Sequence, residues 1–144
     1  MEWFEGLAGD QTVATLPQSE AFVQAGAAGV SVGTALLTTA ESSACDAHRY
    51  YAEFGTACDT VLTRIYNGRL SRVLRNALVE ALDDWELMTA GYPAQKALMG
   101  PLDRCASEVG RNDLVMLPLG QSAGRSAYRR TADCVHALFP RRAD

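Results

Sequence analysis

Long apolar runs are missing from this chain. The longest span only a few residues, whereas a helix that crosses a bilayer needs about 20. No secretory leader is expected, because MEWFEGLAGDQ carries acids where a signal peptide needs a basic start and an apolar middle. There is no excess of positive charge. Thirteen Lys and Arg against seventeen Asp and Glu leave a net charge of −4, which provides no global field for nucleic acid or an anionic membrane. Cys45, Cys58, Cys105 and Cys134 are scattered, with no C-x-x-C pair. Cys45 and His48 form a lone C-x-x-H, and zinc normally needs three or four protein ligands. No metal site is expected. Four reduced thiols, mostly packed, and a cytoplasmic location are the expectations that remain.

What is present is ordinary globular composition, 48% apolar and 21% charged over 144 residues, enough for a real core. Pro17 opens a short helix that Gly26 closes, with Ala21, Phe22 and Ala25 on one face. Gly29–Gly33 reads as a short buried strand ending at a glycine. Asp46 caps a helix through about Ala57, with Ala47, Tyr50, Tyr51 and Phe54 at helical spacing. Thr60–Tyr66 is β-branched and extended in character, and Asn67-Gly68 after it signals a turn. Ser71 then caps a helix whose stripe is Val73, Leu74, Ala77, Leu78, Ala81 and Leu82. Gly91-Tyr92-Pro93 breaks the chain before a helix over Ala94–Val109, with an interruption at Gly100-Pro101. A short apolar run, Leu114–Leu119, precedes a last helix over Ala127–Phe139, with Tyr128, Ala132, Val135 and Leu138 on one side. The balance is helical, with two or three short strands.

The segment that carries chemistry is the strand ending at Gly33-Thr34. A buried strand delivers its last residues to the carboxyl edge of a sheet. There a glycine lets a phosphate approach the backbone, and the free N–H groups beyond it bind the oxygens. The Thr34 hydroxyl adds a donor. In (β/α)₈ barrels the phosphate site typically follows strands 7 and 8. Taken alone, such a glycine also ends any plain strand.

The wider pattern is more specific. Gly26–Glu41, GAAGVSVGTALLTTAE, with the serine after it, resembles the last-strand segment of nitronate monooxygenases, also called 2-nitropropane dioxygenases. The resemblance continues through Asp59–Asn76 (DTVLTRIYNGRLSRVLRN), Tyr92–Leu102 (YPAQKALMGPL) and Asp113–Gln121, where LPLGQ stands in place of the family's apolar run ending in Gly-Gln. It covers about Ala21 to Leu138, with the motifs in order.

That family implies an FMN-dependent TIM barrel with an added helical domain covering the flavin. Its activity is oxidation of alkyl nitronates by O₂ to a carbonyl compound and nitrite. The fold expected here is therefore α/β by ancestry: an incomplete TIM-barrel C-terminal portion, holding the last strand or two, plus a helical substrate-covering domain, mostly helical as it stands. Residues 1–35 would be the barrel remnant and phosphate turn, 36–112 the helical segment, and 113–144 the closing segment and final helix. By the resemblance, Gly33 and Thr34 hold the FMN phosphate and Ser31 points toward the cofactor, although the family commonly has glutamine there. Tyr66 and Gln121 are candidates for the substrate pocket; each also suits a packing or turn role. The cluster Arg64, Arg69, Arg72 and Arg75 reads either as a field for an anionic nitronate or phosphate, or as a solvated helix face.

Several of the family's parts have no counterpart. A complete barrel needs about 250 residues. The family's catalytic histidine lies upstream of the phosphate segment, whereas His48 and His136 lie downstream in expected helices, so no catalytic residue is assigned. The Gly-Gly clamp expected shortly before Gly26 is replaced by QTVATLPQSEAF. Two classes of function follow. One is an oxidoreductase chain, active with a small-molecule nitronate when another chain supplies the missing strands. The other is a non-enzymatic remnant or interaction module that packs on a partner or on itself. A flavin-dependent enoyl reductase shares the G-V-x-x-G-T element, but the DTVLTR…GR…LRN stretch argues against it.

Overall fold

The computed structural model describes residues 15–27, 29–125 and 128–138. The N-terminal part of the expected barrel remnant, residues 1–14, lies outside them, as do Ala127 and Phe139 at the ends of the expected last helix. The chain forms two compact units, one made of residues up to Ala57 and from Gly120 onward, the other of Cys58–Leu119.

In the first unit, helix α1 (Leu16–Gln24) starts as expected. Pro17 sits in its first turn, where a missing N–H costs nothing, and the Thr15 N–H donates to Gln18 Oε1 at 3.1 Å. Gly26 closes it at φ 97°, a conformation that favours glycine. Ser19 is buried and donates its hydroxyl to the Leu138 carbonyl at 2.7 Å, tying α1 to the last helix, α5 (Thr131–Leu138). The core here is Ala35, Cys134 and Leu138, packed by Phe22, Val30, Val32, Leu36 and Tyr128. Ala132 and Val135, expected on the inner side of α5, are exposed. Cys134 and Leu138, four residues apart, define the buried stripe instead.

Residues 29–33 form no strand. Their alternation survives, with Val30 and Val32 turned into the core and Gly29, Ser31 and Gly33 exposed. A strand also needs a neighbour for its N–H and C=O groups, and among the described residues this segment has none.

Helix α2 (Asp46–Phe54) stops three residues earlier than expected. A Cβ at Gly55 would collide with the Tyr51 carbonyl, which accepts the Gly55 N–H. Its buried residue is Ala52, while Tyr50 and Phe54 are exposed and stack on each other at 5.3 Å. Arg49 holds the preceding loop by donating to the carbonyls of Thr39, Ser42 and Ala44.

The second unit corrects the sequence reading most. Ser71 caps no helix. Ser71–Leu74 is strand β2, antiparallel to β1 (Thr60–Thr63), with Thr60 opposite Leu74 and Thr63 opposite Ser71. A third segment joins on the other side, where the Leu74 N–H donates to Leu117 O and the Leu119 N–H to Arg72 O. Backbone pairing on both edges outweighs the helical spacing of Val73 and Leu74. Helix α3 (Ala77–Leu82) begins only after Asn76, whose side chain accepts the Val79 N–H at 3.1 Å. Helix α4 (Ala94–Glu108) runs unbroken through Pro101; the carbonyl that Pro101 leaves unpaired belongs to exposed Ala97, which water can satisfy. Ile65, Tyr66, Val73 and Val79 form the core. No helix among the described residues is long and apolar enough to cross a membrane.

Candidate functional site

After the extended Val30–Val32 segment the chain turns at Gly33 and enters a single 3₁₀ turn, Thr34–Leu36. The carbonyls of Gly33 and Thr34 accept the Leu36 and Leu37 N–H groups. Such a turn leaves its first donors without intrahelical partners. Among the described residues the N–H groups of Gly33, Thr34 and Ala35 make no hydrogen bond. Gly33 is exposed, and a Cβ placed there would meet nothing within 4 Å. At φ −121° its backbone suits any residue, so the glycine's contribution is the open space where a side chain would stand.

Thr34 is 5% exposed. Its hydroxyl oxygen accepts the Gly120 N–H at 3.0 Å, which leaves the hydroxyl proton for a second partner. Thr34 is thereby placed against the Gly120–Gly124 turn, which the Gly124 N–H anchors to the Ala52 carbonyl at 3.0 Å. Gln121 is exposed on this turn, and Ser31 is exposed two residues before Gly33. Ser122, which the sequence did not single out, is 3% exposed, and among the described residues its hydroxyl has no partner. A serine after Gly-Gln carries no sequence signal that separates it from a turn residue.

Tyr66 belongs to the second unit. It is buried, and its hydroxyl is shared with the Asn76 side chain and the Val115 carbonyl. Burial pushes its pKa up to about 12; the Asn76 hydrogen bond opposes that shift and the Asp103 charge adds to it. Its ring borders a cleft of about 670 Å³ between the turn after β1 and the first half of α4.

The four arginines do not act as one helix face. Arg69 lies over the Tyr92 ring at 4.0 Å, and Arg72, on β2, donates to the Thr60 hydroxyl at 3.1 Å. His48 is half-buried on α2 and His136 exposed on α5. Among the described residues no group of three His, Cys, Asp or Glu side chains is placed to hold a metal.

The family model described as nitronate monooxygenase matches residues 15–138. A probable nitronate monooxygenase of Staphylococcus aureus (strain Newman) is 33% identical over 97 residues, 67% of this chain and 27% of that protein. The chain thus spans about a quarter of the curated relatives it matches. Among solved structures, nitroalkane oxidase from Streptomyces ansochromogenes aligns with a TM-score of 0.77 and 28% identity, covering 88% of this chain and 36% of that one. FabK from Thermotoga maritima, at 23% identity and a TM-score of 0.69, shares the fold. The architecture is part of a TIM-barrel enzyme fold, mostly helical as it stands. With 33% identity to a probable nitronate monooxygenase and a family match from Thr15 to Leu138, the chain belongs to the nitronate monooxygenase family.

Proposed function

We propose that this chain carries the flavin-phosphate turn and part of the substrate-covering segment of an FMN-dependent oxidoreductase, one that converts alkyl nitronates with O₂ to a carbonyl compound and nitrite. The observation that carries the reading is the donor set at Gly33-Thr34-Ala35, three backbone N–H groups without hydrogen-bond partners among the described residues, beginning at an exposed glycine whose side-chain position is empty. Phosphate oxygens suit such donors, since charge-assisted bonds to backbone N–H groups are short and strong. Gly33 would leave room for the phosphate, Thr34 would add its hydroxyl proton, and exposed Ser31 and Gln121 border the same unit's surface. Bound FMN supplies the electron acceptance and O₂ reduction that nitronate oxidation requires. None of this chain's residues is assigned as the base. Tyr66 lines the second unit's cleft with its ring, its hydroxyl already engaged. Three of the four unpaired thiols, Cys45, Cys58 and Cys105, are exposed where most were expected to be packed, and reduced thiols suit a cytoplasmic location.

Comparing FMN with riboflavin tests the turn, because the two differ only in the phosphate. Wild-type chain should bind FMN about fivefold more tightly, in flavin fluorescence titrations (about 1 kcal/mol). Gly33→Asp, whose Cβ meets nothing within 4 Å, should abolish the preference by placing a carboxylate before the phosphate. Equal binding of FMN and riboflavin by the wild type removes the turn from the reading.

A second reading, an interaction module that packs on another chain or on itself, rests on unusually exposed apolar side chains. Leu87 is 99% exposed, Met88 76% and Leu98 70%, more than single scattered residues require. Sedimentation of the purified chain distinguishes them: a monomer that oxidises nitronates when FMN is added supports the enzyme, and a stable oligomer without activity supports the module.

A further inference from the structure

The cleft of the second unit has a charge that the whole chain lacks. Arg69, Lys96 and Arg104 surround it, and among the described residues none of the three makes an ion pair. The single carboxylate in its lining, Asp103, is turned to the backbone and accepts the Met116 N–H at 2.8 Å. The cleft therefore carries an excess of two positive charges on a chain of net charge −4. The Arg69 guanidinium is held over the Tyr92 ring, so it loses little freedom when it binds. Much of the remaining lining is apolar, supplied in part by Met99 and Met116. A volume of about 670 Å³ lies within the range of small-molecule sites.

We infer that this cleft, lined by Arg69, Lys96 and Arg104 together with apolar side chains, binds a medium-chain carboxylate. The planar guanidinium fork matches a planar two-oxygen anion, and the methionine-lined walls take the hydrocarbon chain. A tetrahedral inorganic anion would use the charge and leave the apolar lining wet. The site makes no use of the flavin-phosphate turn, so its failure and the failure of that reading are separate results.

Calorimetric titration of the 144-residue protein with sodium butyrate, hexanoate and octanoate tests the inference, with inorganic phosphate and 1-octanol as comparisons. Saturable binding is expected, tightening by about fourfold for each added CH₂ (about 0.8 kcal/mol), with phosphate and octanol both weaker than octanoate by at least tenfold. Lys96→Gln with Arg104→Gln, two exposed positions, should weaken octanoate binding at least tenfold while the melting temperature stays unchanged. The inference is overturned by octanoate that does not saturate at millimolar concentration, by equal affinity of the double variant, or by phosphate or octanol binding as tightly as octanoate.

Discussion

The Thr34 hydroxyl accepts the Gly120 N–H at 3.0 Å, joining two segments 86 residues apart. Both residues are buried, so the bond has no water to replace it. Thr34→Val should leave the Gly120 N–H unpaired and cost about 1–3 kcal/mol, while Thr34→Ser should retain most of the stability. Urea denaturation of the three proteins measures the difference.

Two glycines should respond in opposite ways. Gly68 has φ +79°, and a Cβ there would strike the Ala90 carbonyl. Gly68→Ala combines backbone strain with a collision and should cost about 2 kcal/mol or more. Gly33 has an ordinary φ and open space, so Gly33→Ala should be neutral or stabilising by about 0.5 kcal/mol. Thermal melts that rank these two variants the other way would refute the geometry of both turns.

Asn76 satisfies three groups at once. It caps α3 through the Val79 N–H, meets the Tyr66 hydroxyl and donates to the Val115 carbonyl at 3.0 Å. The cap alone is worth about 1 kcal/mol, and the buried partners left behind add more. Asn76→Ala should therefore lose about 2–4 kcal/mol, read from the midpoint of chemical denaturation.

Tyr66 sets an alkaline limit. Its folded pKa is about 12, above the ordinary 10.0, chiefly because burial disfavours the phenolate. The unfolded chain ionises first. Stability is fully present below pH 10 and declines as the pH rises toward 12, by about 3 kcal/mol in all. Tyr66→Phe should flatten that decline in unfolding curves recorded between those values.

Flavin retention is the last expectation. One turn of this kind contributes about 1 kcal/mol, against about 8 kcal/mol for micromolar affinity, and the Gly-Gly clamp has no counterpart before Gly26. The 144-residue protein should purify without a flavin absorbance band. A band that survives gel filtration contradicts this.

Local signals were legible where one residue type decides the backbone. Pro17 and Gly26 bounded α1, Asn67-Gly68 marked the turn after β1, and Tyr92-Pro93 preceded α4. The motifs around Gly33-Thr34 and Asp59–Asn76 pointed to the family. Pairing was not legible. Val73 and Leu74 suit a helical stripe as well as a strand, and the choice fell to β1 and Leu117, whose positions no local pattern records. The same holds for Ser122, which became noticeable only when its hydroxyl was found buried and unpaired.

By itself, then, the sequence determined the family, the turn chemistry and which residues are able to form donors, because glycine, proline and asparagine act on their own backbone. Only the tertiary structure decided which of them are free to act. It left the Gly33–Ala35 N–H groups without partners among the described residues, engaged the Thr34 oxygen with Gly120 and gathered Arg69, Lys96 and Arg104 around one cleft. The reason is physical: a hydrogen bond or a local field belongs to the groups that meet in space, however far apart they stand along the chain.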